Sequence, residues 1–366
     1  MLLTGVVAGC SPAPIATGVF AGKPDWTIET PDNIISTPLA SGNWIVLRTE
    51  KQVITLDGLT HKVRWAVESL GTINFNAPPI IADSLLLVPE YGNPLAAFDL
   101  VSGDLVWKNC VHSPRQKNCA EPSAAWEING LSSDGRIVVV SRFSGGIIGY
   151  NALNGDQLWV IDSPRRGGPF FTIDSGNVYF DKHETNVRQL WGVDLKTGAL
   201  RWQLDIDDVS GRMVIQDGTL YLIIGSADVT KVEALTLATY SVAWQLPFPG
   251  IQPSAGTYLT LDNNVLFVAA DKVAAISIAN GSVIWEANVA QRMRNPVVFG
   301  DMLLVRDDHI LYAFDKRTGA QLGQLPLELT PGHYDVELNP AVYGDLVLIP
   351  VGAKQLAAYR LKMPGQ

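Results

Sequence analysis

Three observations predict an all-β chain that closes into a propeller of eight four-stranded blades. A nine-residue motif, typified by Asp194-Leu195-Lys196-Thr197-Gly198-Ala199-Leu200-Arg201-Trp202, returns along the chain. Between its copies, turn-forming residues recur near Gly42, Asp83, Asp134, Gly176, Gly218, Asn263, Gly300 and Gly344, one for each of the eight units. The 33 glycines and 22 prolines are spread through all 366 residues, a turn density that suits many short strands and not long helices.

Composition narrows the class further. Charged residues make up 17% and hydrophobic residues 47%, whereas a disordered chain has few apolar residues and a high charge. The formal net charge of −9, from 27 basic and 36 acidic residues, argues against a nucleic-acid binder, which carries a basic footprint.

The first element is an apolar stretch, residues 1–9, ending in Val7-Ala8-Gly9-Cys10. It is shorter than the roughly 20 residues that span a bilayer. Small residues before a cysteine resemble the lipobox of bacterial lipoproteins, so 1–9 reads as a signal segment, Cys10 as the lipidated residue and 10–25 as a lipidated tether, rich in Pro, Ser, Ala and Thr over Ser11 to Thr17. The plainer alternative is a small apolar residue in a loose terminus.

The propeller is expected over 26–366. Its outer-strand markers are Trp26, Trp65, Trp107, Trp159, Trp202, Trp244, Trp285 and Gly323, spaced 38 to 43 residues apart with one interval of 52. That period belongs to four-stranded propeller blades. Full motif copies run from Asp99, Asn151, Asp194 and Ser277; weaker copies run from Asp57, Thr236 and Asp315, the first two with His61 and Tyr240 in place of the glycine. In each copy the Asp or Asn opens a tight turn by accepting from backbone amides, and the Gly adopts a left-handed conformation without steric cost. The tryptophan is expected on the outermost strand, packed against the neighbouring blade and burying about 150–250 Å². These recurrent residues are structural.

The long interval holds Cys110 and Cys119. In an exported protein this pair reads as a disulfide closing an inserted loop, and no second cysteine or histidine pair stands at metal-ligand spacing. The last unit, from Leu338 to Leu361, has three strands, while Trp26 to Glu29 is a motif strand with no blade before it. Joining them closes the ring and removes the exposed sheet edges of an open array.

The repeat A-x-D-x-x-T-G-x-x-x-W behind a lipobox resembles the PQQ-like repeat propellers, and among them the BamB-like lipoproteins of the outer-membrane β-barrel assembly machinery. The resemblance implies a lipid-anchored, periplasm-facing scaffold without catalytic activity, metal or cofactor, a monomer within a complex. Its partners would be envelope proteins, the barrel-assembly protein among them, and the membrane itself through the Cys10 lipid. Ser11 after Cys10, in place of an inner-membrane retention Asp, implies the outer membrane. Such proteins contact their partner through blade-connecting loops, one bearing arginine, and Arg165 and Arg166 in the stretch Ser163 to Gly168 are the matching place.

Two other readings stay open. A ligand-binding or sensor propeller would use a mouth lined by residues such as Tyr91, Trp126, His183 or His309. A quinoprotein dehydrogenase would need PQQ and calcium, for which the paired carboxylates Asp207-Asp208 and Asp307-Asp308 are the available acids.

Overall fold

The computed structural model describes residues 16–69, 77–90, 94–110, 128–142, 145–163, 170–184, 187–209, 211–226, 229–248, 258–289, 293–307, 309–327 and 338–362. Among them eight antiparallel sheets form, seven of four strands and one of five. Blades one to seven occupy 39–68, 80–110, 128–161, 171–205, 214–247, 258–288 and 294–326. Blade eight takes its three inner strands from 341–359 and its outer strand from Trp26–Glu29. Each blade is a simple meander, with the first strand innermost and the motif strand outermost.

The middle strands are apolar on both faces because a blade is sandwiched between two others. In the strand Trp44–Arg48, Val46 packs toward blade two while Ile45 and Leu47 pack toward blade eight. The period of two thus splits one strand between two cores. The eight core clusters fall one to each junction of neighbouring blades, including that between blades eight and one, so the ring is closed.

The motif locks these junctions. Asp194 Oδ1 accepts from the amides of Lys196 and Thr197 at 3.0 and 2.8 Å, and Arg201 Nη2 donates to Asp194 Oδ2 at 2.6 Å. The turn so shaped receives the tryptophan of the preceding blade. Trp65, Trp107, Trp159, Trp244 and Trp285 each donate their indole N–H, at 2.8–3.0 Å, to the carbonyl just after the Asp, Asn or Ser that opens the next blade's motif. Their rings lie against the motif glycine of that turn. At Gly198, where φ is +68°, an added Cβ would stand 2.8 Å from Trp159 Cγ. Where the glycine is replaced, the substitute is itself aromatic: His61 stacks on Trp26 at 4.3 Å and Tyr240 lies 4.9 Å from Trp202. The small residue two places before the Asp has a reason too, since Ala97 and Gly149 pair directly with Trp107 and Trp159 across the sheet.

Closure uses the register Trp26↔Ala358 to Glu29↔Gln355. The amides of Asp25 and Thr30 extend it, donating to Ala358 O at 2.8 Å and Lys354 O at 2.7 Å.

Part of the tether expected over 10–25, from residue 16 onward, lies among the described residues. Thr17–Gly18 forms the fifth strand of blade seven, pairing with Gln324 and Gly323, and Phe20 is 1% exposed among Leu304, Leu325, Val347 and Leu361. The physical reason lies at Gly323, the motif position without a tryptophan. A Cβ there would stand 2.8 Å from Val19 N, so only glycine lets the N-terminal backbone approach this closely.

Two tests follow from the lock. Gly176 and Gly198 are both left-handed, but a Cβ at Gly176 meets nothing within 4 Å. Gly176→Ala should cost about 1–2 kcal/mol for the backbone alone, and Gly198→Ala distinctly more because Trp159 must move, read as urea midpoints. Asp194 is held at about 2, chiefly by its Arg201 hydrogen bond, and Asp57 and Asp99 are lowered, chiefly by amides of Thr60 and Ser102. A folded value below the unfolded one, about 3.9, gives stability that is complete above that pH and lost as pH falls toward about 2. The melting temperature should therefore drop between about pH 4 and pH 2, with a shallower fall in Asp194→Asn.

Candidate functional site

One face of the ring carries the connections from second to third strands and from each blade to the next. Charged side chains are buried beneath it. Arg48, fully buried at the end of its strand, reaches blade two, where it donates to Pro89 O and to Glu90 Oε2, the latter at 3.0 Å, while Ser69 Oγ donates to the same carboxylate oxygen at 2.6 Å. Burial pulls the Arg48 guanidinium down from its ordinary value, and Glu90 opposes that shift. Arg306, at the equivalent place in blade seven, donates to Asp307 O at 2.9 Å and to Leu338 O at the entrance to blade eight. Arg142 donates to Asp162 Oδ1 at 2.6 Å, joining the end of a second strand to the start of the connection that leads to blade four. Since a buried guanidinium needs partners for its donors, each arginine fixes the connection it reaches.

The connection between blades three and four is the one that holds Arg165 and Arg166, which lie outside the described residues. Its two ends are described and both are pinned. Ser163 Oγ donates to His183 O at 3.2 Å and accepts from His183 N at 3.3 Å; Phe170 N donates to Asp181 Oδ1 at 2.6 Å. Asp181 is 1% exposed, and its Oδ2 lies 3.2 Å from His183 Nε2, which also faces Asp208 Oδ1 at 3.7 Å. Arg188 completes the group by pairing with Asp208, and Lys182 Nζ sits 3.7 Å over the Trp191 ring. The result is a charged platform on blade four that supports both roots of the connection.

The other sequence candidates fall as follows. Cys10, Tyr91, Cys119, Trp126 and Asp308 lie outside the described residues. Cys110 ends the strand Leu105–Cys110, paired with Pro94. Asp307 shapes a local turn, with Oδ1 accepting from the amides of His309 and Ile310 at 2.7 and 2.6 Å. Burial, with Asp307 beside it, pushes the Tyr312 hydroxyl up to about 12. His183 and Asp208 belong to the platform, and His309 to the Asp307 turn.

Ser163 meets the backbone of His183 and not its imidazole, so the pair lacks the geometry of a nucleophile and base. Among the described residues no group of three or more His, Cys, Asp or Glu side chains is placed to hold a metal ion. Of the acids considered for a calcium and quinone pair, Asp208 and Asp307 are committed to Arg188 and to a turn, while Asp207 is exposed. The buried arginines and the platform were not anticipated from the sequence. Their one visible signal was a basic residue ending an apolar strand, in Val46-Leu47-Arg48 and again in Leu304-Val305-Arg306.

A family model described as outer membrane protein assembly factor BamB matches residues 6–204, 131–236 and 228–363. Proteins of that name from Nitrosomonas eutropha and Shewanella oneidensis are 23% and 24% identical over 205 and 247 residues, covering 55% and 62% of this chain. The matched part spans 49% and 59% of those two proteins, so the chain aligns with about half the length of the curated relatives it matches. Among solved structures, BamB from Moraxella catarrhalis is similar with a TM-score of 0.70 at 16% identity, over 95% of this chain and all of that one. A europium-containing methanol dehydrogenase shares the fold with a TM-score of 0.67 at 14% identity, over 91% of this chain and 85% of its own.

The platform has a direct test. Asp181→Ala removes the carboxylate to which Phe170 N donates, a loss of about 1–3 kcal/mol, and should raise the rate of tryptic cleavage after Arg165 and Arg166 several-fold by intact mass. Arg188→Ala removes only a partly exposed ion pair and should leave that rate nearly unchanged.

Proposed function

The chain belongs to the family of the outer membrane protein assembly factor BamB, and from that membership we propose that it is a non-catalytic interaction subunit serving outer-membrane protein assembly. The observation that carries the reading is that the recurrent residues are consumed by structure. The motif aspartates hold turns, the glycines receive indoles and the tryptophans lock blades. What remains to vary is the set of connections on one face, where propellers present surfaces to partners.

In this reading Cys10 carries a lipid, the protein faces the periplasm at the outer membrane, and Cys110 and Cys119 form a disulfide. Arg165 and Arg166, on the connection rooted in Ser163 and Asp181, contact carboxylates of the barrel-assembly protein. Guanidinium groups suit that task because they engage carboxylates bidentately and stay charged. The likeness to a methanol dehydrogenase is one of fold, which does not transmit chemistry.

Replacing Arg165 and Arg166 together by Ala should weaken copurification with the barrel-assembly protein at least several-fold and leave the melting temperature within about 1 °C, since surface substitutions move stability little. Cys10→Ala should abolish membrane fractionation and labelling by palmitate. If the wild-type protein instead copurifies with no envelope protein and oxidises an alcohol once PQQ and calcium are supplied, the enzyme reading replaces this one.

A further inference from the structure

The N-terminal segment is fastened to the ring at one definite place. In seven junctions a tryptophan of one blade lies under the motif turn of the next, but blade eight has no such turn, because its third and fourth strands come from opposite ends of the chain. At that junction Gly323 replaces the tryptophan and the segment Thr17 to Ala21 fills the place from outside. It is held by Val19 N to Leu322 O at 3.2 Å and tightened by Phe20 N to Thr17 O at 3.2 Å and Ala21 N to Gly18 O at 3.0 Å. Phe20 supplies the buried ring, edge-on to Tyr359 at 6.3 Å, and Ala16 and Val19 pack beside it. An apolar side chain buried to this degree contributes roughly as much as a core residue, so the strap is part of the ring.

The strap also has a direction. It runs antiparallel to Gln321–Pro326, so Ala16 points along the outer edge of blade seven toward the face of the inter-blade connections. Blade seven stands four blades from blade three in a ring of eight, and is therefore diametrically opposite the connection that leaves blade three.

We propose that the outer edge of blade seven is the membrane-proximal edge of this protein, facing a phospholipid bilayer, and that the connection between blades three and four is held on the far side of the ring. This rests on the reading of Cys10 as the lipid anchor. Distances decide the matter. Fully extended, the chain from Cys10 to Ala16 reaches at most about 22 Å, while a compact chain of this size measures about 50 Å across. With Ala16 strapped down, the remote edge at blades three and four cannot turn to the bilayer without lifting the anchor out. Lys23 and Lys362, exposed and close in sequence to Phe20 and Leu361 of the cluster at this junction, suit the phosphates of headgroups.

Gln321 and Gln157 open the outer strands of blades seven and three at equivalent motif positions, and both are exposed. The full lipidated chain, extracted from membranes and reconstituted in phosphatidylcholine vesicles, would carry a fluorescent non-natural residue at one or the other. Energy transfer to a headgroup-labelled acceptor lipid should be at least twofold greater from 321 than from 157. Equal or reversed transfer in vesicle-bound protein would overturn the proposal while leaving the anchor reading intact. Failure of the wild-type chain to bind vesicles would overturn the anchor reading, and this proposal with it. Gly18→Ala places a Cβ 2.7 Å from Gly323 Cα and should release the strap. In that variant, with near-ultraviolet circular dichroism checking the fold, the ratio should fall toward one; an unchanged ratio would show that the strap does not set the orientation.

Discussion

No blade of this ring has a core of its own. A sheet that is apolar on both faces can persist only between two others, and every cluster of buried side chains here draws on two neighbouring blades. The indole contact is where that dependence becomes specific. A tryptophan packed on a bare glycine, with its N–H on the adjacent carbonyl, fixes both the spacing and the register of two sheets that share no backbone ladder. Twist, closure and blade number follow from repeating that contact until the ring meets itself.

The same constraint explains what could be read from the chain. The lock is written locally, within nine residues, so eight blades and the pairing of Trp26 with the last strand were legible as a period and an unmatched half-unit. The N-terminal strap was not, because its signal is a missing tryptophan at 323 and a single phenylalanine in a stretch of small and polar residues. The buried arginines were hidden for another reason. Arg48 and Arg306 reach backbone carbonyls 41 and 32 residues away, and carbonyls leave no trace in side-chain identity. The platform at Asp181, His183, Arg188 and Asp208 joins residues from two strands and a connection through ion pairs whose spacing matches no periodic pattern.

Structure and function divide the ring between them. The turn face is built from motif residues whose identities are fixed by the lock, and changing them costs stability. The connection face rests on individual ionic anchors that differ from blade to blade: a glutamate and serine at blade two, an aspartate after blade three, a backbone carbonyl before blade eight. Anchored roots let a connection change its sequence without loosening the sheets beneath it. A contact surface on this protein is therefore expected among those connections, which is where the proposed arginine pair lies.

The pairing of Trp26–Glu29 with Gln355–Tyr359 has a consequence for how the protein is made. A strand synthesised before blade one waits for a partner synthesised after blade seven, so the emerging chain holds half-covered sheets until both are made. Closing a loop of this length adds little entropy cost beyond that of a shorter one, because the cost grows only with the logarithm of length, but contacts so distant in sequence make folding slow. During that interval the apolar faces at both ends of the unfinished array are open to aggregation or to a chaperone. Loss of Gln355–Tyr359 would expose the flanks of blades one and seven together, so damage to one short strand would reach both neighbouring blades.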